Sequence, residues 1–259
     1  MDKNIDKELE TNRIEGRNPV AEALAAGRSI NRAFILEQAT GELAALAGRL
    51  REEGAIVQFV SRASLDAMAT SRAHQGIIVE AAAYQYSDLD TVLADCRARG
   101  QEPFILLLDQ IQDAHNLGSI LRIADGAGAH AVVILKRRSV PLNAAVAKAS
   151  AGAIEHVPVC RVNNLTSVIL MLKEAGFWIF GTRAGDGLNY READYSGKIA
   201  LVIGSEGQGI SKKVAEHCDF HLSIPLHGRV NSLNAAVACG IIAFEAAASR
   251  RGQETPAQA

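Results

Sequence analysis

The sequence predicts an α/β protein in two units, the second a mostly parallel sheet covered by helices. Three observations carry this. "FILLLD" (104–109) is an uninterrupted apolar strand, the kind buried on both faces of a parallel sheet. Strand-like runs recur at "AVVIL" (131–135), "HVPV" (156–159), "FWIF" (177–180), "ALVIG" (200–204) and "FHLSIP" (220–225), with helical patterns between them. Ahead of these, residues up to Tyr84 form a smaller α/β set with a different texture.

The smaller set reads element by element. Residues 1–12 alternate charges without apolar periodicity and read as a mobile tail. In "RNPVAEALAAG", Asn18 suits an N-cap, Pro19 the first helical position and Gly27 the end. "RAFIL" (32–36) is a strand. "GELAALAGRLREEG" (41–54) is a helix with leucines at 43, 46 and 50 on one face. "AIVQFV" is a strand, a short helix starts at Ser64, and "QGIIVEAAAY" is another strand. The organisation is then a tail (1–12), a first domain (13–84), a linker helix (85–102), a second domain (103–250) and a tail (251–259).

A chain of 259 residues with 48% hydrophobic and 22% charged residues is ordinary for a globular protein of one large or two modest domains. The net charge of −2 excludes a chain-wide basic surface and leaves room only for local patches. Cys96, Cys160, Cys218 and Cys239 are scattered, with no CxxC spacing, so neither a metal nor a redox site is expected. Buried free thiols suit a reducing cytoplasm. "MDKNIDKELE" is too charged for a targeting segment, and the longest apolar run, Ala235 to Phe244, is too short to span a bilayer.

In parallel sheets ligands bind at the carboxyl ends of strands. Three stretches stand out there. "LDQIQDAHNLGSILRIADGAGAH" (108–130) leads from a buried strand through a polar loop to a helix from about Leu117. Leu117, Ile120, Leu121 and Ala124 line one face, Arg122 lies off it, and Asn116 sits at the start as a natural cap. "ALVIGSEGQGISKKV" (200–214) places Gly204, Gly207 and Gly209 around Glu206. Its spacing matches neither GxGxxG nor GxxxxGK[ST], and a carboxylate there disfavours phosphate. "FHLSIPLHGRVNSLN" ends in Asn231, Ser232 and Asn234 before a helix of small residues. Asn231 or Ser232 suits the cap. Gly240 inside that helix implies close packing of another backbone.

Together, "NLGSILRIADGAGA", "LVIGSEGQGIS" and "IPLHGRVNSLNAAVA" resemble, in order, the three motifs of the SpoU (TrmH-like) family of RNA ribose 2′-O-methyltransferases. The resemblance covers roughly residues 104–248. "EGRNPVAEAL" (15–24) and "HQGIIVEAAAY" (74–84) are similar to the substrate-binding domain of the subgroup that modifies a guanosine of large-subunit ribosomal RNA, a domain of ribosomal-protein type. The resemblance implies a sheet closed by a deep trefoil knot, S-adenosylmethionine bound in the knot, and a homodimer in which each site borrows residues from its partner. Carried over, Asn116, Arg122, Glu206, Ser232 and Asn234 are the catalytic candidates. Thr182, Gly204, Ile224 and Leu233 are the cofactor-binding candidates. The family's proposals make Arg122 the base. A guanidinium stays protonated, so two roles are open: a fixed cation on the developing alkoxide, or a base in an unusual environment.

The expected activity is methyl transfer to a guanosine 2′-OH in large-subunit rRNA. A tRNA substrate, or an inactive RNA-binding assembly factor, is the alternative. A dinucleotide-dependent oxidoreductase is disfavoured because "DQIQDAHNLG" lacks the glycine fingerprint. Residues 13–80 balance eight arginines with eight carboxylates, so RNA contact is expected from local clusters: "KRR" (136–138), "SKK" (211–213), Arg183 and Arg229.

Overall fold

The computed structural model describes residues 13–70, 73–82, 84–228 and 232–251. The expected N-terminal tail, the end of the C-terminal one, Arg229 and Asn231 lie outside the described residues. The chain forms two compact units. One runs through Gln85 and includes Leu142–His156; the other comprises Tyr86–Pro141 and the chain from Val157 onward.

In the first unit β1 (Arg13–Glu15), α1 (Arg17–Ala25), β2 (Ile30–Leu36), α2 (Glu42–Glu52), β3 (Ile56–Val60), α3 (Arg62–Met68) and β4 (Ile77–Ala81) build a sheet of order β1-β4-β2-β3. β2 and β3 are parallel, and the other pairs are antiparallel. Val20, Leu24, Leu43, Leu46 and Leu50 pack on Ile35, Ile77 and Val79 on one face. Leu65 packs on Phe34 and Ile78 on the other. The helix starts are local events that sequence spacing misplaces. α1 begins at Arg17 behind Gly16, because the Gln75 side chain accepts the Arg17 N–H at 2.9 Å and replaces a cap by Asn18. Pro19 therefore sits inside the first turn rather than at its first position. α3 starts at Arg62, capped by Ser61, whose oxygen accepts the Ser64 N–H at 3.2 Å.

From Leu89 onward the chain forms α4 (Leu89–Ala98), β5 (Phe104–Asp109), α5 (Ala114–Ala127), β6 (Ala131–Leu135), then α6 (Ala144–Ser150), β7 (Val159–Val162), α7 (Leu165–Glu174), β8 (Trp178–Thr182), β9 (Leu188–Asn189), β10 (Ile199–Gly204), α8 (Lys212–Ala215), β11 (Phe220–Ser223) and α9 (Ala235–Arg251). Of these, α6 belongs to the first unit, as does the 3-10 turn Ala153–Glu155. The sheet order is β7-β6-β5-β10-β8-β11-β9 and every pairing is parallel. All carboxyl ends therefore share one edge. α4 and α7 cover one face through Leu89, Val92, Leu165, Ile169 and Leu172. α5 and α9 pack on each other, with α9 also against β10. The strand expected at 156–159 is shifted to Val159–Val162. Pro158 has no N–H to give the ladder, and only its carbonyl joins, accepting the Val132 N–H at 2.9 Å.

The expected close packing at Gly240 is of another kind. A Cβ there would meet the Ile123 side chain at 3.4 Å, not a backbone. Cys96, Cys160 and Cys239 are buried and Cys218 is half-buried, all as free thiols. Burial pushes Cys160, Cys218 and Cys239 up to about 12, so these thiols stay protonated and inert. Among the described residues no helix is long and apolar enough to cross a membrane, and no cluster of three His, Cys, Asp or Glu could hold a metal.

One histidine ties the second unit's stability to pH. His130 Nδ1 accepts the Phe104 N–H at 3.0 Å where β5 begins, a bond that needs the neutral ring. Burial, then the Arg250 charge, lowers its pKa below the ordinary value. Protonation thus favours the unfolded chain. His130 contributes its full stability above about pH 6.5 and loses it as pH falls through the lowered value. Urea unfolding at pH 7.5 and 5.5 should show wild type losing stability over that interval and His130→Gln losing less.

Candidate active site

The carboxyl ends of β8, β10 and β11 border a cavity of about 670 Å³, a size suited to one small-molecule ligand. Its floor is the glycine loop after β10. Ser205 and Gly209 exchange two backbone hydrogen bonds, Ser205 N–H to Gly209 at 3.1 Å and Gly209 N–H to Ser205 at 2.8 Å. Gly209 turns the chain at φ +64°, and a Cβ on Gly204 would stand 2.1 Å from the Gly209 carbonyl carbon. Only glycine at 204 lets the loop fold back so tightly. Leu222, Ile224, Leu226, Leu233 and Ile242 supply apolar walls. All four cofactor candidates, Thr182, Gly204, Ile224 and Leu233, line this cavity. Thr182 is fixed by its hydroxyl, which donates to the Val202 carbonyl at 3.1 Å.

Of the catalytic candidates, three converge. α5 begins at Ala114, one turn earlier than its spacing suggests, because Asp113 caps it by accepting the Asn116 N–H at 2.8 Å. Asn116 is thereby released from capping, and its Nδ2 donates to Glu206 Oε1 at 3.0 Å. Asn234 closes the trio. Its Nδ2 donates to Asn116 Oδ1 at 2.9 Å and also to Glu206 Oε1. Its Oδ1 accepts the N–H groups of Ala236 at 3.0 Å and Val237 at 3.2 Å. The cap of α9 is therefore Asn234 and not Ser232. One amide starts the helix with its oxygen and holds the carboxylate with its nitrogen, which fixes its rotamer. Glu206 and Ser232 line the cavity, so the trio stands at its margin.

Arg122 is not drawn in. It is exposed on α5, it does not line the cavity, and among the described residues nothing holds it by a hydrogen bond or ion pair. Asp109 is a residue of the loop's framework that the spacing did not single out. It is 2% exposed at the end of β5 and its Oδ2 accepts the Ser211 N–H at 2.7 Å. It anchors the far foot of the glycine loop to the neighbouring strand. The available signal was a lone carboxylate ending the otherwise apolar "FILLLD". Glu216 and His221 also line the cavity and had no motif to mark them.

A carboxylate bracketed by two amides, beside a glycine cradle on the carboxyl edge of an all-parallel sheet, is the arrangement of an S-adenosylmethionine-dependent RNA 2′-O-ribose methyltransferase. The chain belongs to the SpoU rRNA methylase family, whose model matches residues 103–244, and residues 13–87 match the model for RNA 2′-O ribose methyltransferase substrate binding. It is 43% identical over 233 residues to a Bacillus subtilis protein named for the TrmH family of tRNA/rRNA methyltransferases, covering 90% of this chain and 93% of that one. A Staphylococcus aureus relative of the same description is 44% identical over 238 residues, with 92% and 96% covered. Among solved structures, the AdoMet-bound rRNA methyltransferase of Sinorhizobium meliloti superposes with a TM-score of 0.79 at 27% identity, covering 98% of this chain and 92% of that one. The SpoU methyltransferase AviRb of Streptomyces viridochromogenes shares the fold with a TM-score of 0.79 at 22% identity, covering 97% and 95%.

Proposed function

We propose that this enzyme methylates the ribose 2′-OH of a guanosine in large-subunit ribosomal RNA. The observation that carries the reaction is the Asn116–Glu206–Asn234 trio at the rim of the cavity. S-adenosylmethionine supplies the methyl group, carried on a sulfonium as an electrophile. The residues present suit it: Gly204, Ile224 and Leu233 offer backbone and apolar wall for an adenosyl group, beside the Thr182 turn. The 2′-OH is a weak nucleophile, so the protein must position it and manage its proton. Glu206 is pinned by two amide donors and accepts a hydrogen bond from the hydroxyl. Ser232 lines the same rim as a second polar group for the ribose. Arg122 acts as a fixed cation on the developing alkoxide and adjacent phosphate, since a guanidinium keeps its charge.

The same reading makes the protein a cytoplasmic homodimer whose second domain is threaded as a trefoil knot. Val237 and Phe244, seven residues apart on α9, are 50% and 46% exposed. Such an apolar stripe suits burial against a second copy. Arg122 is one turn before Gly126, where a Cβ would come within 3.1 Å of the Phe244 ring. Arg122 thus borders the stripe, and dimerisation on it delivers the arginine to the partner's cavity. Support for the rRNA target is the first domain's similarity to the guanosine-modifying subgroup, carried by "EGRNPVAEAL" and "HQGIIVEAAAY". The test is incubation with methyl-labelled S-adenosylmethionine and either rRNA fragments or tRNA, followed by mapping of the labelled nucleotide. Label in a large-subunit rRNA guanosine is expected. Label confined to tRNA overturns the target, and cofactor binding without transfer to any RNA overturns the reaction.

A further inference from the structure

The carboxyl edge of the parallel sheet changes character along its length. β11 and β8 end at the cavity, β10 leads into the loop that carries Glu206, and β5 leads to the start of α5, which carries Asn116. Next in order, β6 and β7 end among cations. Strands pair about 4.8 Å apart, so β6 and β7 lie on the order of 10 to 15 Å along the edge from β10. Lys136, Arg137 and Arg138 follow β6, Arg161 lies in β7, and all four are exposed. The second-unit stretches 131–141 and 157–164 hold these four cations and no carboxylate. Among the described residues none of those four cations has an ion-pair partner. This is a concentrated patch in a chain whose net charge is −2.

The patch is also ordered. The Arg161 guanidinium donates to the Lys136 carbonyl at 3.2 Å and sits over the Tyr86 ring at 5.2 Å from its centroid. The Lys136 N–H donates to Val162 at 2.7 Å, which ties the basic turn to β7. Asp88, two residues from Tyr86, is occupied elsewhere: its Oδ2 accepts the Thr91 N–H at 3.0 Å and hydroxyl at 3.1 Å at the start of α4. Like charges held together without counterions repel, and a polyanion laid across them relieves that repulsion.

We infer that the carboxyl ends of β6 and β7 are a track for the single-stranded RNA flanking the methylated nucleotide. Lys136, Arg137, Arg138 and Arg161 bind phosphates, and the Arg161–Tyr86 pair is a stacking platform for one base. The inference rests on the proposed RNA methylation and adds where the strand runs. The test is the double variant Arg137→Ala/Arg161→Ala, read by filter binding of an rRNA fragment across a salt series and by methyl-transfer kinetics. Expected are an RNA affinity about tenfold weaker at low salt and a salt slope shallower by about 1.4, roughly 0.7 for each single-strand phosphate that is no longer neutralised. KM for RNA should rise in proportion, while kcat at saturating RNA and the affinity for S-adenosylmethionine stay at wild-type values. Tyr86→Leu should weaken RNA binding about fivefold, the lower end of the range for removing one aromatic stacking partner, and leave the salt slope alone. A double variant with wild-type affinity and slope overturns the track. Binding is read without turnover, so a wild type that transfers no methyl group would overturn the reaction and still leave the track decided.

Discussion

Arg122→Ala should reduce methyl transfer by about 10²- to 10³-fold, the loss seen when one preorganised oxyanion-stabilising group is removed. Binding of S-adenosylmethionine should be unchanged. The two readouts separate because Arg122 does not line the cavity while Thr182, Gly204, Ile224 and Leu233 do. Folding should be unaffected, since an exposed arginine without an ion-pair partner among the described residues changes stability by no more than about 0.5 kcal/mol when truncated. Single-turnover transfer and calorimetric titration of the cofactor check both halves. Arg122→Lys should recover little, because lysine keeps the charge and loses the planar fork. Dimeric sharing gives a sharper form. Arg122→Ala and Glu206→Gln chains should each be strongly impaired alone, and on the proposed dimeric sharing mixed dimers should regain a fraction of wild-type turnover by assembling one intact site. Near-normal turnover in Arg122→Ala would remove the residue from the reaction.

The sequence made the sheet and the glycine loop beside the cavity legible for physical reasons. A strand such as "FILLLD" has no polar alternative to burial on both faces. Glycines at 204 and 209 announce backbone that no other residue can follow. The Asn116–Glu206–Asn234 trio was less legible because its contacts are decided by competition between neighbours. Asp113 and Asn116 can both cap α5, and Asp113 takes the position, which frees the Asn116 amide for Glu206. Asn231, Ser232 and Asn234 can all cap α9. The winner, Asn234, divides its amide between helix and carboxylate, a double use that spacing does not encode. Asp109 was invisible as a partner because Ser211 lies 102 positions away in the chain. The small strands β1 and β9, of three and two residues, are too short to leave a period in the sequence.

The substitution with the widest consequences is Gly204→Ala. The added methyl carbon would lie 2.1 Å from the Gly209 carbonyl carbon, 2.3 Å from the Ile210 nitrogen and 2.4 Å from the Gly209 oxygen. All three are backbone atoms, so no side-chain rotation makes room. The Ser205–Gly209 pair must open, and with it the floor of the cavity and the loop that carries Glu206. Asp109 holds the other foot of that loop through Ser211, so the displacement is forced toward the ligand space. Overpacking of this kind costs about 1–3 kcal/mol of stability. The functional loss is expected to exceed that figure, because the cavity wall proposed to hold the cofactor and the Glu206 carboxylate move together. S-adenosylmethionine affinity should fall by about 100-fold, equivalent to about 2.8 kcal/mol, and methyl transfer should vanish. Gly207→Ala is the matched control: nothing lies within 4 Å of the position a Cβ would take there. Its stability should stay within about 0.5 kcal/mol of wild type. A Gly204→Ala protein that binds the cofactor within a few-fold of wild type would mean that the glycine loop does not form the cofactor floor.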